Sequence, residues 1–435
     1  MFIFLLLTSC KTPSEFFIER QVIDQEKIEQ PGQTHDAFSS HDLDTIYANK
    51  QKVKVALFLP LSGKYRDLAE TIYNASLMSL FDNDANHNLE LVLIDSKDNA
   101  VEASKALREV TDRNIKLMVG PIFGSFVSSV EKNSLRNSIV AISLSNDQSL
   151  KGKINDNGAI FIAGFLPEQQ IDRIVSYALD QNKTNFAILA PNSEYGMALS
   201  KKFRQFVKLR DGTIITSEIY DPNSLKSVKS AVTRVVNSFL VPSKFAEGSG
   251  NKFDKDFRIS ESDKSYPEVI FIPESGKMLH KIADLIADAN KDERAFQLVG
   301  TNQWEDITTL NNKNLHGAWF AAPDHKRFAV FERNYYQLYQ KFPPRIATIA
   351  YDSIAAIAEL VDRNSAKPLK VSDFVNYTGD GKNGFVGIDD RFRFLDNGLT
   401  QRNLSVIRVG NGDFETIDEA GDAFLKYNYE EGFDD

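Results

Sequence analysis

A single cysteine, Cys10, excludes an internal disulfide and a thiolate metal cluster. The six histidines show neither HExxH spacing nor a cluster, so no metal site is expected. There is no GxSxG nucleophile elbow, and no pair of carboxylates stands apart as acid and base. No catalytic residue and no cofactor is therefore nominated, and the chain reads as not an enzyme. Basic residues number 51 against 60 acidic ones, a net charge of −9. That balance lacks the basic face a nucleic-acid binder uses to release counterions. Beyond the N-terminus no stretch approaches the ~18 uninterrupted apolar residues of a spanning helix. Thr378–Gly384 contains a formal GxGxxG, but it precedes strand-like residues and reads as a hairpin or loop. Asp82-Asn-Asp-Ala-Asn opens like a calcium loop, yet His87 and Leu93 stand at the glycine and closing-Glu positions, so it reads as a solvated turn.

What is present is a repeated strand and helix pattern. Val53 to Leu59 is a nearly continuous apolar run, short enough for a strand buried on both faces. Pro60 ends its ladder, and Ser62 and Gly63 follow just before helical sequence. Phe186–Ala190 runs likewise into Pro191-Asn-Ser193, and Val269–Ile272 into Pro273-Glu-Ser275. A serine at such a place can cap the helix, leaving free N–H groups and a positive dipole end at the sheet edge. In open parallel sheets, ligands collect at that edge.

At 435 residues the chain exceeds one compact core, so two halves are expected. Strands at 53–59, 89–94, 115–119 and 139–143 alternate with helices, which implies parallel pairing by right-handed crossovers. A second series runs from Phe186 to Val299. The fold class is α/β: two doubly wound parallel-sheet lobes around a cleft. Lobe 1 takes residues 51–164 plus 318–394, and lobe 2 takes 165–317 plus 395–420, with an acidic tail at 421–435. A polar insertion between Pro242 and Pro267 has no periodicity and reads as a surface loop.

Residues 1–10 form an apolar stub ending in Leu7-Thr8-Ser9-Cys10, which resembles the lipobox of bacterial lipoproteins. The resemblance implies acylation of Cys10 after removal of a signal peptide. Lys11 in place of Asp implies release to the outer membrane, with the lipid as the sole membrane contact. Residues 11–50 lack periodicity and read as a flexible tether averaging roughly 35 Å end to end, with Phe16-Phe17-Ile18 as a sticky segment docked on the body.

The order of elements from 52 to 415 resembles the type I periplasmic binding fold. The residues that carry the likeness are Leu59–Gly63, Val119–Ser125, Ala141–Ser143, Glu194–Gly196 and Tyr351–Ala355. Ile270–Ser275, Leu298–Trp304 and Gly387–Phe394 look closer still to the binding-fold domain of penicillin-binding-protein activators. That resemblance implies a lipid-anchored, non-catalytic periplasmic regulator of peptidoglycan synthesis whose partner is a penicillin-binding protein. The enteric members carry a helical-repeat domain in front, where this chain has the polar tether.

The alternative is a leucine-type substrate-binding protein of an ABC uptake transporter, taking an amino acid or other small solute. In that group hydroxyls near the positions of Ser125 and Ser145 hold the α-carboxylate, and a carboxylate near Gly300 holds the α-ammonium. Here the latter position falls on Thr301 or Asn302, which carry no charge, and Asp147 lies near where the substrate carboxylate would sit. The candidate cleft residues are Ser62, Gly63, Ser125, Ser143, Ser145, Tyr195, Ser275, Asn302, Gln303 and Trp304. The serines weigh more heavily as caps. Tyr195 can lay its ring over a bound group, and Trp304 reads equally as a core residue.

Overall fold

The computed structural model describes residues 52–151, 154–155, 157–240, 264–365, 367–379, 382–421 and 424. Cys10, the tether with Phe16-Phe17-Ile18, most of the polar insertion and most of the acidic tail lie outside them.

β1 (Val53–Leu59) alternates its buried residues between two cores. Val55, Leu57 and Leu59 face one, and Ala56 and Phe58 the other. That double burial is why the run carries no polar alternation. β2 (Leu89–Asp95), β3 (Leu117–Val119), β4 (Val140–Ser143) and β5 (Ala159–Ile162) complete a parallel sheet in the order β2-β1-β3-β4-β5. α1 (Arg66–Asn83) covers one face, and α2 (Ala100–Asp112) and α3 (Gly124–Arg136) cover the other.

The chain then leaves this sheet. α4 (Pro167–Asp180) and α5 (Glu194–Leu209) cover one face of a second sheet, and α6 (Leu225–Val236) and α7 (Gly276–Ala289) cover its opposite face. Its strands are β6 (Asn185–Pro191), β7 (Thr213–Tyr220), β8 (Val269–Phe271), β9 (Gln297–Gly300) and β10 (Trp319–Ala322), all parallel. α8 (His325–Tyr339) and α9 (Ile346–Arg363) return to pack with α1. After α10 (Val371–Val375), the strands β11 (Phe385–Gly387), β12 (Asp390–Phe394) and β13 (Thr400–Arg402) form a small antiparallel sheet; β11 and β12 share the first core. β14 (Ser405–Val409) pairs antiparallel with β10, and β15 (Phe414–Asp418) antiparallel with β14, closing the second sheet in the order β15-β14-β10-β9-β8-β6-β7.

Two expectations need correction. β13 still pairs with β12, so the last departure from the first half falls near 403 rather than 395. Of the three serine caps only Ser193 forms, its hydroxyl accepting from the Gly196 N–H at 3.1 Å. Ser62 and Ser275 make no side-chain cap. The next residues, Gly63 and Gly276, have φ of +81° and +54°, left-handed values that turn the chain away from regular capping geometry. Ser62 bonds the Asp95 carboxylate instead. Burial works to raise that group, but its bonds from Lys97 and Ser62 hold it below its ordinary value. Ser193→Ala should accordingly lower the unfolding free energy by about 1 kcal/mol in urea titration, while Ser275→Ala should lose no capping energy.

The near-motifs resolve as expected. Thr378 bridges Asn383 and Gly384, so the described ends of the glycine-rich stretch pair with each other. The Asp84 carboxylate accepts from the Asn88 and Leu89 backbone N–H groups, which makes it part of a turn.

Candidate functional site

The candidate residues cluster at the carboxyl ends of the strands, as the alternation of β and α elements dictates, but their roles diverge. Ser143 is fully buried and donates to the Pro121 carbonyl at 2.8 Å, so it fixes the turn after β3 and is not open to a ligand. Ser145 is also buried, and its hydroxyl accepts from the Asp147 N–H at 3.2 Å. Ser125, Gly63 and Gln303 are exposed; Ser62, Ser275 and Asn302 are half-buried. The Asn302 N–H donates to Gln170 Oε1 at 2.8 Å, tying the turn after β9 to α4.

Trp304 is not a cleft residue. It is 0% exposed, and its indole N–H donates to the Glu274 carbonyl at 2.8 Å. A β-carbon placed on Gly300 would lie 2.1 Å from its ring, so the glycine exists to let the indole pack flat on β9. Ring and glycine are one packing unit of the second core.

Tyr195, at the start of α5, is half-buried and turns its hydroxyl toward Thr301. Burial raises its phenol, and the charges of Glu168 and Glu274 add to the shift. Glu168, in the first turn of α4, is raised chiefly by burial; Lys202 opposes the shift, and Asp147 adds to it. These fields connect the turn after β4 with the starts of α4 and α5 and with the turn after β8. Glu274 also accepts from the Tyr220 hydroxyl at 2.9 Å.

Asp147 has a further task. One of its oxygens lies 2.9 Å from where a β-carbon of Gly124 would stand, and the other accepts the Ser149 N–H at 3.0 Å and hydroxyl at 2.6 Å. Gly124 opens α3, whose N-cap Phe123 supplies no side-chain acceptor. The protein's own carboxylate thus rests against the positive end of that helix, where negative charge is favoured.

Glu168 drew no attention in the sequence. Its signal was an acid next to Pro167, which reads as ordinary first-turn charge. The residues that join the two halves were equally silent. The chain passes between the sheets around residues 163–166, 323–324 and 403–404. Arg402 sits at the centre, with Nη1 3.2 Å from the Asp352 carboxylate of α9. Its guanidinium also reaches the Ala163 carbonyl at 3.4 Å and lies over the rings of Phe392 and Phe165 at 4.7 and 5.5 Å. The Gln169 side chain accepts from the Arg402 N–H at 3.0 Å and donates to the Thr400 carbonyl at 2.8 Å, so α4 is stitched to the third crossing.

A profile of the periplasmic binding proteins matches residues 52–413, nearly the whole of the described chain. The chain belongs to the periplasmic binding protein family. An uncharacterised protein of Rickettsia prowazekii is similar to this binding protein, 23% identical over 392 residues that cover 86% of this chain and 91% of the relative. A branched-chain amino acid ABC transporter periplasmic ligand-binding protein from Burkholderia xenovorans superposes with a TM-score of 0.62 at 13% identity, covering 86% of this chain and 95% of that one. The branched-chain amino acid transporter substrate-binding protein LivJ from Streptococcus pneumoniae, solved with isoleucine, superposes at 0.51 with 16% identity over 85% of this chain and 99% of that one. At such identities the likeness establishes the α/β fold with its parallel sheets. Members of the periplasmic binding protein family are in general non-catalytic ligand binders. Among the described residues of this one, no group of three or more His, Cys, Asp or Glu could hold a metal ion, and no helix is long and apolar enough to cross a membrane.

Proposed function

We propose that this protein is the periplasmic solute-binding component of an ABC uptake system and that its ligand is a small solute carrying a positive charge. The observation that carries the reading is that the Glu168 and Glu274 charges both bear on Tyr195, and that the Asp147 charge bears in turn on Glu168, at the carboxyl ends of the strands. The family and the printed descriptions of the solved relatives support solute binding. The carboxylates support a cationic ligand: an amine or guanidinium there restores a charged form that burial disfavours in Glu168. Asp147 meanwhile occupies the helix end that a ligand carboxylate would use, and a second negative charge beside it would weaken binding. A zwitterionic leucine is thus a poor match.

The test is a thermal-shift panel of putrescine, spermidine, arginine and lysine set against leucine, isoleucine and benzoate. A ligand at 100 times its dissociation constant stabilises by about 2.7 kcal/mol. The amines should raise Tm, and Glu168→Gln should remove most of that response. A response to leucine and none to the amines would sink the charge assignment. A flat panel would turn attention to the second reading.

That second reading is a lipid-anchored regulator of a penicillin-binding protein at the outer membrane. It is favoured by the lipobox-like Leu7-Thr8-Ser9-Cys10. The activator-like motifs add little to it, because their Gly300, Trp304, Gly387 and Asp389 have packing and ion-pairing roles inside this fold. Retention of a peptidoglycan synthase by the immobilised protein, together with a raised transglycosylase rate, is its test. Movement of Cys10→Ala from membrane to soluble fractions tests the anchor.

A further inference from the structure

Glu305 follows the turn Asn302–Trp304, whose indole is locked in the core of the second sheet. Its backbone therefore belongs to the second half, yet its side chain does not stay there. Oε1 lies 3.0 Å from Arg345 Nη1 and 3.0 Å from His325 Nδ1. Arg345 immediately precedes α9 and His325 opens α8, both of which pack on α1. The Glu305 and Arg345 side chains are only 9% and 13% exposed.

The remaining partners of Arg345 come from its own side of the molecule or from the crossing itself. Nη2 lies 3.1 Å from Asp389 Oδ1 and donates to the Pro323 carbonyl at 3.1 Å, and the guanidinium sits 4.3 Å over the Phe328 ring. Asp389 is held in turn by the Thr348 hydroxyl. Glu332 faces the same His325 and Arg345 charges. If Glu305 departs, Arg345 keeps a carboxylate, a carbonyl and an aromatic face, while Glu305 gains water. No buried charge is stranded on either side, unlike the pair of Arg402 and Asp352, in which loss of one member leaves the other unpaired.

We infer that Glu305 is a latch: a detachable carboxylate of the second half that engages Arg345 and His325 and biases the two halves toward the arrangement seen here. The inference rests on the reading that the halves move about a ligand, since a latch has a use only where there are two states to bias. By differential interaction with one state, such a pair shifts the population without touching the ligand.

The test uses the full chain in a Cys10→Ala background, with spin labels at Arg108→Cys on α2 and Lys229→Cys on α6, both exposed positions on opposite halves. Without any ligand, Glu305→Gln should add a second, longer distance population, while Asp306→Asn, an exposed neighbour, should leave the distribution as in the parent. Urea midpoints of both variants establish that they are folded. Coincident distributions for Glu305→Gln and the parent would overturn the latch. Widening with a flat ligand panel would leave the latch standing and the solute reading in trouble. A responsive panel with coincident distributions would remove the latch alone.

Discussion

Replacing Arg402 with methionine is expected to lower the unfolding free energy by about 3–5 kcal/mol, the usual cost of stranding one member of a buried ion pair. Arg402 and Asp352 are 4% and 0% exposed, so water cannot take the place of the lost cation. The deficit should depend on pH, and its sign is fixed. Burial pushes Asp352 up to about 7, the neighbouring Asp389 adds to the rise, and Arg402 works against it. The unfolded carboxyl titrates near 3.9. As pH climbs from the unfolded value toward 7, the unfolded chain gives up a proton that the folded chain keeps, so this group's support for the fold declines over that window. Without Arg402 the folded value moves higher still. The variant's deficit relative to the parent should be largest at pH 8 and shrink at pH 5, where Asp352 is protonated in both folded proteins. Urea midpoints at the two pH values measure it. Equal deficits would mean that the guanidinium acts only by filling space between Phe165 and Phe392.

The second large effect belongs to the indole on β9. Trp304→Ala should destabilise by about 3–5 kcal/mol, since a fully buried ring is lost and leaves a cavity. Gly300→Ala alone should cost about 1–3 kcal/mol by overpacking, because the new methyl has the Trp304 ring in its way. The informative result is the double variant. With the ring gone the methyl meets open space, so the combined loss should fall short of the sum by about 0.5–3 kcal/mol. Strict additivity in urea titrations would refute the account of Gly300 and Trp304 as one unit. Ligand affinity, compared among the variants that remain folded, should be nearly unchanged, because the indole reaches no solvent.

These two units show what could be read in advance. The strands beginning at Val53, Phe186 and Val269 were legible because burial on both faces erases polar alternation, and proline marks where the ladder stops. β13 and β15 were not legible. The first has only three residues, and the second is a half-buried edge strand interrupted by two acidic residues. The serine caps misled at Ser62 and Ser275 because capping depends on the backbone angle of the next residue, and a glycine there hides that angle. Gly387–Phe394, the stretch that resembles the activators, has a packing role in this fold. A β-carbon on Gly387 would stand 2.4 Å from the Asp352 carboxylate, so the motif records how closely β11 approaches α9. Pairings such as Asp352 with Arg402 lie far apart in sequence, and no local pattern announces them. The carboxylates of the candidate site were hidden likewise, because Asp147 and Glu168 acquire their shared field only when α4 folds back against the turn after β4.

The placement of β14 and β15 governs the timing of folding. The second sheet begins at Asn185, but β10 stays an open edge until residues 405–418 arrive. Val406, Ile407 and Val409, all buried in the finished protein, leave the ribosome long after the strands of the sheet they complete. Pairings of such wide separation form slowly, and their precursors expose apolar surface that invites aggregation. A nascent chain of this design therefore cannot seal its second sheet before residues 405–418 emerge, which leaves that sheet unlocked and pliable until then.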